Sequence, residues 1–410
     1  MTAPTTATSA KTQLLLLTLA AALVLMITMG VRQISGLFLL PVTQSTGVSI
    51  VAFSLALAIG QFMNGAAQPF FGAIADKYGA VYVVAAGGLL MALGAALTPL
   101  VPTSLGLIMT FGVLSSAGTA AGSFSVLIGV ASQNLPPEKR SFAAGLINAG
   151  GSLGQVIFAP LIQVIIGAAG WMTAMFATAG AALLTVPLAM LLRAPRKGAG
   201  GVTVHTVTLT LSEQIRVAMR DPSYLCLHAG FFTCGFHVAF LVTHLPADLQ
   251  LCGMTASVAA TSLSLIGLFN VVGSLVVGWL GQRYRMKYLL ALIYASRALI
   301  VAVYVVMPKT PLNVYLFAGA LGMTWLATVP PTSGLVTKLF GTRYLATLFG
   351  LTLVSHQVGG FLGAWLGGIA VARTGSYDWI WYADITLALL AAAVNLPIRE
   401  ERLDAALTTA

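Results

Sequence analysis

Few side chains in this sequence could do chemistry, and those few stand in apolar surroundings. Arg32 lies nine residues before Pro41 in a long apolar run. An arginine at the centre of a helix in hydrocarbon costs roughly 2.5–3.5 kcal/mol or more. It therefore needs a water-filled cavity, a partner or a ligand. No Asp or Glu in the other central runs is available to pair with it, and an unpaired cation in a cavity attracts an anion. The alternative is that Arg32 caps backbone carbonyls or pairs across the protein. His237 and His244 are seven residues apart and share a helical face, and His356 sits in a later run with Gln357 beside it. An imidazole, with an unperturbed pKa of about 6.5, exchanges protons near neutrality. His237 and His356 are the expected proton carriers. For each, the alternative is a neutral histidine hydrogen-bonded in packing.

Neutral polar groups accompany these. Gln33 adjoins Arg32, and Gln61, Asn64 and Gln68 are spaced three then four apart, on one helical face. Such a stripe would be destabilising in lipid, so it is expected to face a cavity or another helix. There it either orients an anion or joins two helices. Asn148 and Gln155, and Asn270 and Ser274, are further same-face pairs. These residues, Gln155 excepted, with Arg32, His237, His356 and Gln357, are the expected substrate contacts. Arg297 lies mid-way along another run, at a depth comparable with Asp384, and the two are expected to form a structural ion pair. Asp76 and Lys77, at the end of a run, are expected to serve a gate. No carboxylate or thiolate completes a metal set around the histidines, so no metal or other cofactor is expected. No phosphate loop or nucleophile constellation is present, so an enzyme is not expected.

The elements that position these residues follow from composition. Of 410 residues, 58% are hydrophobic and 7% charged, and mean hydropathy is +0.94. Soluble domains carry about 25% charged residues, so a soluble globular protein and a disordered chain are both excluded. Cys226, Cys234 and Cys252 are too few for a disulfide framework. A membrane-spanning helix needs roughly 20 apolar residues. Twelve apolar runs separated by charged or Pro/Gly-rich punctuation are readable, at about 14–41, 49–75, 80–100, 105–132, 141–167, 170–192, 222–247, 257–281, 287–307, 311–338, 343–372 and 378–397. The first is too long for a signal-peptide core and no cleavage site follows it. If both termini are cytoplasmic, the opposite side holds only Lys309 and Arg373, and Arg32 and Arg297 lie inside spans. The remaining Lys and Arg all fall on the cytoplasmic side. The net charge of +10 is therefore topological, and no nucleic-acid partner is implied. The longest polar interval, Arg193 to Asp221, divides the chain into an N-terminal bundle (1–193), a cytoplasmic linker (194–221) and a C-terminal bundle (222–410).

The two halves resemble each other. Gly30 to Pro41 and Gly235 to Pro246 have the same spacing, which sets Arg32 opposite His237. Gly72-x-x-x-Asp76-Lys77-x-Gly79 matches Gly278-x-x-x-Gln282-Arg283. Gly150-Gly-Ser-Leu-Gly154 matches Gly359-Gly-Phe-Leu-Gly363. The expected fold is all-α, with twelve transmembrane helices in two pseudo-symmetric six-helix bundles that rock to give alternating access. With the motif that ends at Gly79, this chain resembles the major facilitator superfamily over essentially its whole length. It departs from the usual motif at Ala80-Val81 and at Gln282.

Within that superfamily the chain is similar to the monocarboxylate porter and oxalate–formate antiporter branch. The similarity is carried by Gly30-Val31 through Pro41-Val42, by Gly47-Val48-Ser49, and by Gln61-x-x-Asn64-x-x-x-Gln68-Pro69. Arg32 falls where animal monocarboxylate transporters have a lysine, and His356 falls where the antiporter has its substrate lysine. The Asp and Arg that the former use in span 8 are here Asn270 and Ser274. The resemblance implies a carboxylate substrate. One permanent cation suits a monoanion, and a protonated histidine would add a second charge. The expectation is a secondary transporter of small organic monocarboxylates by proton symport, working as a monomer in the cell inner (plasma) membrane. Its partners are then an organic anion, protons and the lipid bilayer. An anion exchanger and a multidrug efflux transporter are the rival readings.

Overall fold

A computed structural model describes residues 5–134, 137–193, 210–341 and 344–400. Of these, the side chains at 5–14, 76, 77, 132–134, 137–142, 144 and 346 are not described. Among the described residues every regular element is helical, in chain order α1 (Thr5–Gln33), α2 (Leu39–Thr46), α3 (Ile50–Tyr78), α4 (Ala80–Leu97), α5 (Ser104–Leu107), α6 (Ser116–Ala121), α7 (Phe124–Asn134), α8 (Pro137–Leu183) and α9 (Thr185–Met190). After the linker helix α10 (Leu211–Ala218) come α11 (Pro222–Leu251), α12 (Ala256–Leu280), α13 (Met286–Val306), α14 (Pro311–Thr324), α15 (Val329–Phe340), α16 (Leu345–Thr374) and α17 (Asp378–Asn395). Among the described residues, nine helical stretches are long and apolar enough to cross a membrane. One of these, Gly145–Met190, contains two helices meeting at Gly170, whose φ is +81°. Beyond the ninth follow α16 and α17, of 30 and 18 residues. The surface of these helices is studded with exposed leucines such as Leu89, Leu93, Leu292, Leu299 and Leu316. That surface suits hydrocarbon, and this is a membrane-spanning protein.

Local sequence explains where the helices begin and end. Ser49 caps α3 by accepting from the Ala52 amide at 3.2 Å. Asp221 caps α11 by accepting from the Ser223 and Tyr224 amides at 2.7 and 3.3 Å, with Pro222 in the first turn. The same Asp221 accepts from Arg399 at 2.7 Å, which ties the segment after α17 to the start of α11. Gly47 and Gly375 close α2 and α16 in the left-handed conformation.

Several of the sequence's apolar runs are not continuous α-helix, and three of the departures bear on the site. A 3-10 turn, Ser35–Phe38, separates α1 from α2. A π-helical segment, Ile108–Ser115, separates α5 from α6. A break at 325–328 separates α14 from α15. Departures of this kind inside helices often accompany function.

The internal repeat reappears as a repeated contact. A Cβ added at Gly150 or Gly154 of α8 would strike the Ala22 or Met26 carbonyl of α1. One added at Gly359 or Gly363 of α16 would strike the Phe232 or Phe236 carbonyl of α11. In each half the glycine motif lets two backbones touch.

The two halves meet along α3 with α16 and along α8 with α12. Gly65 abuts the Gln357 side chain, and Gly368 abuts Ser54. Ala58, Ala239 and Ala364 share a small core. The Ser264 hydroxyl donates to the Val156 carbonyl at 3.1 Å. At the end remote from the termini, Gly36 lies against the Val242 and Thr243 carbonyls. Toward the termini, the polar Asn148 is exposed. The closed end is thus the one remote from the termini.

Candidate functional site

Arg32 stands in the last turn of α1, directly before the 3-10 turn. A helix C-terminus favours a cation, and the break opens space beside it. Arg32 Nη2 and Nε donate to Gln61 Oε1 of α3 at 2.5 and 3.2 Å. Nη2 also reaches Gln357 Oε1 of α16 at 3.4 Å. The guanidinium therefore lies between the two halves and holds an amide oxygen from each. Among the described residues it makes no ion pair. A cavity of about 30 Å³ adjoins it, lined in part by Ser35, Leu57, Phe111, Ser115, Ser116 and Thr119. That volume suits a water molecule rather than an organic acid.

The other expected contacts separate into distinct groups. Asn64 Nδ2 donates to Thr119 Oγ1 at 2.8 Å, Gln68 Nε2 to Asn64 Oδ1 at 3.2 Å, and Ser125 Oγ to Gln68 Oε1 at 3.2 Å. Of the amide stripe, Gln61 meets Arg32, while Asn64 and Gln68 join α3 to the α6–α7 region. Gln33 Nε2 donates to Gln155 Oε1 at 3.4 Å. Asn270 Nδ2 donates to Ser152 Oγ at 3.1 Å, and its Oδ1 accepts from the Leu326 amide at 3.0 Å and from Ser274 at 3.3 Å. Asn270 thus bridges the halves and fixes the α14–α15 break. Asn148 is exposed. The side chains of Asp76 and Lys77, the expected gate, lie outside the described residues.

Two expectations are corrected by the C-terminal half. Arg297 and Asp384 do not form a direct pair. Asp384 Oδ2 meets His237 Nδ1 at 2.5 Å, and Arg297 Nη2 donates to the Thr324 and Trp325 carbonyls at 2.5 and 3.1 Å. The physical reason is the α14–α15 break, whose freed carbonyls compete for the guanidinium. His237 does not stand with Arg32 as a substrate contact either. It is fully buried, its Nδ1 side is turned to α17, and its ring lies 6.1 Å from that of Trp325. His244, on the same face, is held by Tyr377 and the Ala364 carbonyl. His356 is 8% exposed, its ring 5.3 Å from Phe231, while the adjacent Gln357 reaches Arg32.

Sequence reasoning missed Ser35, Phe111, Ser115, Ser116 and Thr119. The polar run Ser115-Ser116 in span 4 was the available signal. The π-helical turn that carries Phe111 and Ser115 to Arg32 left none. A larger cavity, of about 530 Å³, lies away from Arg32 on the flank of α11, α16 and α17, where His228 Nδ1 and Ser355 Oγ meet at 2.6 Å.

Comparison with known proteins fits this architecture. Residues 21–364 match the model of the Major Facilitator Superfamily. Monocarboxylate transporter 13 of Rattus norvegicus is 29% identical over 82% of this chain and 76% of its own. The oxalate:formate antiporter of Oxalobacter formigenes is 25% identical over 88% of this chain and 85% of its own. Among solved structures, an inward-facing, occupied bacterial homologue of the human lysosomal transporter Spinster superposes with a TM-score of 0.72 at 15% identity, over 93% of this chain and 95% of that one. A D-xylose–proton symporter gives 0.73 at 14% identity, over 94% and 98%. The structures share the fold, and the family match covers most of the sequence. This chain is a transporter of the major facilitator superfamily and not an enzyme.

Proposed function

We propose that this transporter carries small organic monocarboxylates of the lactate and pyruvate class across the cell inner membrane by proton symport. The observation that carries the reading is Arg32, a permanent cation without an ion pair among the described residues, set between the halves and satisfied by two neutral amide oxygens. Those oxygens are acceptors that a carboxylate can replace with a charge-assisted, bidentate bond. Gln61 and Gln357, once displaced, can turn their amide N–H groups to the same anion. Substrate then contacts both halves at once, which couples its binding to their movement. In this reading Asn270, Ser274, Asn64 and Gln68 shape and brace the path, Asp76 and Lys77 serve the gate at the terminal side, and His237 or His356 carries the proton. The twelve apolar runs act as twelve spans in two bundles, 1–193 and 222–410, joined by a surface linker. Both termini are cytoplasmic, and one chain suffices. The similarity to monocarboxylate transporter 13 supports the substrate class.

The similarity to an oxalate:formate antiporter favours exchange as a second reading. Counterflow without net proton movement would establish it. The first test is thermal stability of the detergent-purified protein with lactate, pyruvate, acetate, oxalate, aromatic acids and lipophilic cations, at two pH values. A ligand that binds the folded state raises its stability. The reading requires stabilisation by one class of monocarboxylate that Arg32→Gln abolishes. Stabilisation by cations, indifferent to Arg32, would replace it with efflux.

A further inference from the structure

Behind the Arg32 site, the C-terminal half holds a second polar cluster that the carboxylate contacts do not use. Four of the helices packed there add a titratable or charged group, namely Cys234 and His237 from α11, Tyr294 and Arg297 from α13, His356 from α16 and Asp384 from α17, while the α14–α15 break adds only the neutral Thr324, Trp325 and Thr328. His237, Arg297 and Asp384 are each 0% exposed. The His237–Asp384 contact is 2.5 Å long. His237 Nε2, Asp384 Oδ1, and Arg297 Nε and Nη1 are buried without a hydrogen-bond partner among the described residues. Tyr294 is committed elsewhere, donating to the Gly230 carbonyl at 2.6 Å. Cys234 lies 3.4 Å from Thr328 Oγ1, and the His356 carbonyl abuts the neighbouring Gly235.

The charges can be followed. Arg297 is positive and an ionised Asp384 is negative, so with neutral imidazoles the cluster sums to zero. A neutral His237 that donates from Nδ1 to Asp384 leaves Nε2 as a buried, unused acceptor. One proton added there makes an imidazolium held by a carboxylate, a charge-assisted pair. The cluster then carries one positive charge. Its route to the carboxylate site is short. Gln357, which touches Arg32, is the neighbour of His356. The His356 backbone packs directly on Gly235, which stands on α11 between Cys234 and His237.

We propose that His237 and Asp384 form a buried proton-binding pair, charge-balanced by Arg297 and linked to the Arg32 site through His356, and that this pair carries the coupled proton. The proposal rests on the carboxylate-symport reading above and assigns its proton to α11 and α17, outside the central cavity. A carboxylate on Arg32 removes one positive charge from the centre and so favours the added proton. By linkage, the proton favours the carboxylate to the same degree.

The test uses the full chain in proteoliposomes and a labelled monocarboxylate selected by the stability screen. Two readouts are compared: counterflow at equal pH on both sides, and accumulation driven by an imposed pH gradient. His237→Gln keeps an N–H for Asp384 but cannot take the proton. It is expected to retain counterflow and to lose about tenfold or more of the gradient-driven accumulation. Asp384→Asn is expected to behave alike. If it does not fold, His237→Gln decides. Gradient-driven accumulation at the wild-type level in His237→Gln overturns the proposal. A wild type that shows counterflow but no gradient-driven accumulation also overturns it and leaves the Arg32 site standing. A wild type with neither refutes the carboxylate reading itself.

Discussion

The closed end depends on a backbone contact between the halves, and one methyl group tests it. Gly36, in the 3-10 turn after α1, faces the Val242 and Thr243 carbonyls of α11. A Cβ there meets backbone, which cannot rotate aside as a side chain can. Overpacking of this kind costs about 1–3 kcal/mol. The contact joins the two halves, so the cost falls on the closed state and is relieved when that end opens. Gly36→Ala should therefore shift the equilibrium toward opening by about 5- to 150-fold. Val42, on α2 and fully buried, reports the change. In a Val42→Cys background the labelling rate by a membrane-impermeant maleimide, read at that position by peptide mass spectrometry, should rise by that factor. The native Cys226, Cys234 and Cys252 can then stay in place. Gly363→Ala is the control. Its Cβ meets the Phe236 carbonyl within the C-terminal half, so it should lower overall stability without changing the labelling rate at position 42. If Gly36→Ala labels no faster than its parent, closure does not depend on that contact and the reasoning fails.

Asn270→Ala removes the acceptor of the Leu326 amide and the donor to Ser152. With the half-buried amide left unpaired, stability should fall by about 1–3 kcal/mol, read as a lower melting temperature in detergent; an unchanged value would show that the α14–α15 break is held otherwise. In the linker, Glu213 accepts from the Thr210 backbone amide and hydroxyl in a capping box, chiefly the amide, and this holds its carboxyl below its ordinary 4.5. A lowered value means that the cap is fully present above pH 4.5 and is lost as pH falls through the folded value. The protection factors of the α10 amides, corrected for the intrinsic pH dependence of exchange, should therefore fall in acid in the wild type and be nearly independent of acid in Glu213→Gln.

Much of the architecture was legible in the sequence because hydrocarbon demands it. The twelve apolar runs fall largely on helix, and the matched glycine motifs of spans 5 and 11 make the same backbone contact in each half. Arg32 was legible as the group needing a partner, since a charge is costly wherever it points. What the sequence does not carry is the direction in which a histidine points on a helix that is apolar all round. Span 7 has no polar face to separate cavity from core. The pairing of His237 and His244 on one face was correct, yet that face is turned to Asp384 and Tyr377 of the same half. The partner of Arg297 was missed for a different reason. Its acceptors are carbonyls freed by the break after Thr324, and the run Thr324-Trp325-Leu326-Ala327-Thr328 reads as continuous helix.

The most direct test of the account is uptake of labelled monocarboxylate by proteoliposomes containing wild type, Arg32→Lys or Arg32→Gln, each checked for folding by its melting temperature. If Arg32 is the anion site, Arg32→Gln, though folded, transports no faster than empty liposomes, and Arg32→Lys retains part of the rate because the charge survives without the bidentate fork. Transport at the wild-type rate by Arg32→Gln would contradict the account.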